Sequence, residues 1–128
     1  MTLNKMEQAK IFREVQKAFD DAVMIAANEC TKIISTPQSW EGFSDIRDIV
    51  DLGQLRASQR VTLSSATSQS GKRWTGLIEY TAAYAAAVHN GATIRYSNGR
   101  TRRIPARPFM EQAIKQQPPM ENMKKLLG

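Results

Sequence analysis

His89, Cys30 and Glu79 are where proton transfer or nucleophilic attack would have to begin in this chain, and their spacing gives none of them a partner. His89 is the only histidine and Cys30 the only cysteine, 59 positions apart. A thiol nucleophile needs a neighbour that lowers its pKa, and the apolar helical run around Cys30 offers none, so it reads as a buried structural thiol. His89 directly precedes Asn90-Gly91, where an imidazole meets the carbonyl end of a helix favourably. Glu79, the lone acid between residues 52 and 110, reads as a strand-face residue. Asp45, Asp48 and Asp51 recur at intervals of three but lack the alternating oxygen ligands and glycine of an EF-hand loop, so they read as a solvated acidic edge. Gly71-Lys72-Arg73 lacks the earlier glycine and the hydroxyl of a phosphate-binding loop. No zinc spacing, nucleophile elbow or dinucleotide glycine pattern occurs. The expectation is a protein that is not an enzyme and has no metal and no cofactor; a toxin-like or regulatory small enzyme is the weakest of three readings.

What the chain has in quantity is positive charge, and it is uneven. The net charge is +6 over 128 residues, with −3 in residues 1–51, +8 in 52–110 and +1 in 111–128. Such a field suits nucleic acid, an acidic protein partner or solvent. Arg95, Arg100, Arg102 and Arg103 gather around Asn98-Gly99, the strongest short hairpin signal, which predicts a tight type I′ turn and a basic finger, with Arg107 just beyond.

The elements that would position these residues can be read in order. Phe12, Val15, Phe19, Ala22, Ala26, Cys30 and Ile33 follow steps of three and four from Asn4 to about Ile34, the mark of one helical stripe. Asn4 and Glu7 form a capping-box pattern, and Pro37 disfavours helix at Thr36. At ~1.5 Å per residue the helix runs about 45 Å, long enough to project or to break near Asp20 and Asp21. Residues 37–54 read as a loop with a short helical turn, its Trp40, Phe43, Ile46 and Ile49 returning to the core. Leu55–Ser65 and Trp74–Tyr80 read as antiparallel strands joined by a polar, mobile link. The alanine-rich run from Ala82 to Gly91 reads as a helix with a glycine stop. Pro108 sits well for the first turn of a helix to about Lys115. Pro118-Pro119 then breaks the chain before a tail whose Met120, Met123 and Leu127 suit a short amphipathic turn, a core segment or a frayed end.

At 14.4 kDa, with 41% hydrophobic residues, the chain fits one α+β domain over residues 1–128: a long helix (1–36), a sheet, hairpin and short helices (37–117) and a tail (118–128). No run approaches the ~18 apolar residues of a membrane helix, and the start lacks a secretory signal. A single cysteine favours synthesis in a reducing cytoplasm.

Three stretches, in order, resemble one family. DLGQLRASQRVTL (51–63), YAAAVHNGA (84–92) and IPARPFMEQAI (104–114) are similar to the strand-entry, Tyr-Ala-x-x-Val and Pro-Ala-Arg-Pro-Phe segments of tail-completion proteins of tailed double-stranded DNA phages, the gene-product-ten-like neck family; the virion-morphogenesis family of contractile-tailed phages shares a similar ending. Leu52 stands where threonine is usual. The resemblance covers about residues 50–115 and implies that Gly53, Leu55, Tyr84, Gly91, Pro105, Pro108 and Phe109 hold the fold. It also implies a structural virion protein of the neck, made in the bacterial host cytoplasm. That protein completes the tail for head-to-tail joining as a homo-oligomeric ring, often sixfold, beside connector and tail proteins. Arg95, Arg100, Arg102, Arg103 and Arg107 then become contacts to neighbours or to passing genomic DNA. The alternative from another class is a small, non-specific DNA-binding protein, recognisable by a steep salt dependence.

Overall fold

The computed structural model describes residues 4–36, 52–69 and 71–128. The chain is α+β. A 31-residue helix, α1 (Lys5–Ser35), is followed by α2 (Leu52–Ala57), strands β1 (Gln59–Ser68) and β2 (Gly71–Tyr80), and α3 (Ala85–Asn90). Strands β3 (Ala92–Arg95) and β4 (Thr101–Ile104) come next, then α4 (Phe109–Gln116) and α5 (Pro119–Leu127). The strands form two separate antiparallel pairs, β1 with β2 and β3 with β4.

α1 begins where its capping box closes. The Glu7 amide donates to Asn4 Oδ1 at 2.8 Å and the Asn4 amide donates to Glu7 Oε2 at 3.3 Å, giving both end groups partners. The helix passes Asp20 and Asp21 without interruption. At its far end the hydroxyls of Ser35 and Thr36 donate to the Thr31 and Lys32 carbonyls, and Thr36 turns to extended backbone.

Of the expected stripe, Ala22, Ala26, Cys30 and Ile33 are buried, whereas Phe12 remains 44% exposed. Buried residues run along α1 from Ala18 to Ile34, and the cluster that joins the elements lies towards its C-terminal end, where Cys30, Ile33 and Ile34 pack with Leu55, Ala85, Phe109 and Ala113. Burying Leu55 and Phe109 contributes roughly 2 to 3 kcal/mol each. Phe109 is held edge-on by two rings, Tyr80 at 5.0 Å and His89 at 5.2 Å between centroids.

Two layers flank α1. On one side lies the β1–β2 hairpin, with Tyr80 near Cys30, Gly76 against Val23 and Phe19, and Trp74 against Phe12. On another, α4 and α5 run back along the helix until Leu126 and Leu127 face Glu14, Lys17, Ala18 and Asp21 across an open groove. Of the alternatives for the tail, an amphipathic turn, a core segment or a frayed end, the chain adopts a helix started by Pro119 that lies along α1, with Leu126 and Leu127 still about half exposed.

Three other local expectations change. Residues 55–57 are helical, and the strand begins at Gln59. The segment expected as a mobile link is strand on both sides, paired without a break from Gln59↔Tyr80 to Ser68↔Gly71. Serine and threonine suit a pleated, half-exposed surface as well as a loop, which is why polarity misled there. The basic hairpin turns through Ser97–Gly99: the Gly99 amide donates to the Tyr96 carbonyl, the Tyr96 amide to the Arg100 carbonyl, and Gly99 takes φ +82°. Three loop residues with a left-handed glycine replace the two-residue type I′ turn.

A candidate assembly surface

The distal half of the molecule is built without a core of its own. The N-terminal half of α1 and the outer half of β1–β2 lie together, and Met6 (82% exposed), Ile11, Phe12, Leu63 and Leu77 (50%) keep much of their surface in solvent. Gly76 makes the close approach there: a Cβ on it would lie 2.7 Å from Val23 Cγ2, so glycine lets the strand settle on the helix. Trp74 packs on Phe12 at 6.3 Å with its Nε1 buried and without a hydrogen-bond acceptor among the described residues.

At the other end of α1 a small polar cluster ties strand to helix. Gln59 Nε2 donates to the Ala27 carbonyl at 2.9 Å and to Tyr80 Oη at 2.8 Å, and the Tyr80 hydroxyl is hydrogen-bonded to Cys30. Burial raises the Cys30 thiol above its ordinary value of 9.0, and burial likewise raises the Tyr80 phenol well above 10.0, with the thiol beside it adding to the rise. Both groups are held neutral. A thiol of this kind is inert as a nucleophile, so the cluster is a structural joint. Neither Tyr80 nor Gln59 stood out in the sequence; the alternation Lys72, Trp74, Gly76, Ile78, Tyr80 was the available signal.

The β3–β4 hairpin packs mainly on itself. Arg95 and Arg100 are exposed and make no ion pair among the described residues. The register sets Arg103 opposite Thr93 and Arg102 opposite Ile94, so positions 102 and 103 fall on opposite faces of the ribbon. Arg107 does not join them. It lies half-buried in the 105–108 connection, where its amide donates to the Val88 carbonyl at 2.9 Å.

Of the other singled-out residues, Leu55 and Phe109 are core, Tyr84 packs against that core, and Pro105 and Pro108 are half-buried, Pro108 as the N-cap of α4. Gly91 ends α3 at φ 79°. Gly53 is exposed with open space around it, so packing does not explain a glycine there. His89 stands at the end of α3 with Nδ1 2.7 Å from Asn90 Oδ1. Asp45, Asp48, Asp51 and the aromatic loop of 37–51 lie outside the described residues. Among the described residues no group of three His, Cys, Asp or Glu could hold a metal ion, and no helix is long and apolar enough to cross a membrane. An open groove of about 260 Å³ beside Leu126 and Leu127 is lined in equal parts by charged residues of α1 (Glu14, Lys17, Asp21) and apolar ones.

No family model, curated protein or solved structure matches this chain.

Proposed function

We propose that this chain is a structural subunit of a phage neck, which acts in several copies as a ring at the top of the tail and lets the finished tail join the head. The family reading rests on the three resembling segments. The single structural observation that supports an assembly role is that the buried residues of α1 begin only at Ala18, while its first turns and both hairpins carry apolar and basic side chains into solvent. Such surfaces suit burial between repeated copies or against neighbours. In this reading the arginines of β3–β4 contact adjacent subunits, connector and tail proteins or passing DNA, and the chain performs no chemistry.

The test is to mix the purified protein with tail tubes and view the mixture by negative-stain microscopy, alongside a variant with Arg95, Arg100, Arg102 and Arg103 all replaced by serine. Rings or end-on binding to tails by the parent, lost in the variant, support the proposal. A protein that ignores tails but binds DNA with a steep salt dependence is instead a non-specific DNA-binding protein, and tail joining that survives the four substitutions removes the hairpin from the mechanism.

A further inference from the structure

We propose that the outer edge of β2 pairs antiparallel with β2 of a second copy, making a four-stranded sheet across a two-fold axis. The inference goes beyond the neck reading and does not depend on it.

Three observations carry it. First, among the described residues β1 and β2 form a two-stranded sheet of ten uninterrupted pairs with no third strand beside it, so both outer edges present a row of backbone donors and acceptors. Two-stranded ribbons are marginal alone, and a long, straight edge is a template for another strand. Second, the exposed side chains of β2 are self-complementary. Arg73 and Glu79 are both exposed, stand six residues apart on the same face, and make no ion pair among the described residues. With Gly76 on the two-fold axis, Glu79 of each copy falls opposite Arg73 of the other, and Leu77 falls opposite Thr75. An isologous antiparallel pairing repeats each contact twice, so this register forms two ion pairs of opposite sign at once. Third, Leu77 is half exposed on that face, and the pairing sets the two Leu77 side chains diagonally across the axis, where cross-strand neighbours still touch.

The edge of β1 lacks these features. From Val61 to Ser68 it has no charged residue, and Arg60 at its base has no acid on the strand to meet. It gives a second copy nothing that sets a register. Within the chain Glu79 already lies across from Arg60, so a second copy would place an arginine on each side of the only acid in this stretch of the sequence.

The experiment is a charge swap read by light scattering and sedimentation on the full chain. The parent is expected at a multiple of two chain masses at micromolar concentration. Glu79→Arg and Arg73→Glu, each at an exposed position and each checked for unchanged circular dichroism, should separately weaken this association about tenfold or more, because each turns both attractions into repulsions. The combined R73E/E79R variant should recover most of the parental association, short of the repulsion that an arginine at position 79 meets from Arg60 across its own hairpin. A monomeric parent overturns the proposal, and so does association that the single reversals leave intact or that the double reversal does not restore. Binding to tails is a separate readout, so loss of the neck reading and loss of this pairing are distinguishable.

Discussion

Two buried groups at the base of the β1–β2 hairpin make stability depend on pH in a defined direction. Cys30 and Tyr80 both hold their protons more tightly in the folded chain than in the unfolded one, so the stabilisation is complete below the unfolded values near 9 and 10 and declines as pH rises above them. The urea midpoint should therefore stay level on approaching pH 9 and fall beyond it; Tyr80→Phe should flatten that fall while lowering the unfolding free energy at pH 7 by about 1 kcal/mol through the lost contact with Gln59. A midpoint that does not decline under alkaline conditions would contradict the cluster. Gly76 offers a steric test at the same scale. Gly76→Ala should cost about 1 to 3 kcal/mol by overpacking against Val23, and Val23→Ala in the same chain should recover part of that loss, measured as a double-mutant cycle. Neither effect was legible in the sequence, since Cys30 read simply as a buried thiol and Gly76 as one residue of a strand; it is the pairing of a strand with a helix that makes each of them specific.

Elements were legible in proportion to how local their signals are. α1 was evident because its period and its cap both lie in consecutive residues: Asn4, Glu7 and the stripe from Val15 to Ile33 need no distant partner to be recognised. Which part of that stripe would be covered was not evident, because periodicity reports a face and says nothing about how much of its length another element reaches; Phe12 carries the same pattern as Cys30 and stays partly exposed. The Ser-Thr stretch of β1 failed for the opposite reason, as its strand character comes from pairing with β2. The exposed start of α1 leads to a prediction at this scale. Asn4→Ala removes the bond that the Glu7 amide donates to Asn4 Oδ1 and keeps the backbone amide that donates to Glu7, in a turn that lies beyond the core, so it should fray the first residues and lower the helical circular dichroism slightly while costing less global stability than the ~1 kcal/mol usual for a cap. The four-arginine replacement in β3–β4 should likewise leave the melting temperature within about 2 °C of the parent, because that hairpin supports little outside itself.

For the whole molecule, the concentration of buried side chains at one end creates a gradient of local stability. Amide exchange should be slowest from Cys30 to Ile34 and around Phe109, and orders of magnitude faster in the first two turns of α1, with proteolysis beginning at Lys5, Lys10 or Arg13 before any cleavage near Lys32. Uniform protection along α1 would refute that picture. The candidate surface was partly visible from residues alone, as the arginines around Asn98-Gly99 announced the basic hairpin; the larger apolar and charged surface on β1–β2 was hidden because half of it read as loop. One further consequence follows from α1 being a single unbroken rod anchored at one end. From Ala18, the first of its buried residues, to Lys5 is about 20 Å of helix at 1.5 Å per residue, so it is a lever arm: a tilt of about 5° at the anchored end sweeps the free end through nearly ~2 Å. Whatever grips the free end reads small rotations of the core as displacement, and Trp74, riding on Phe12, places an intrinsic fluorophore where that displacement can be followed.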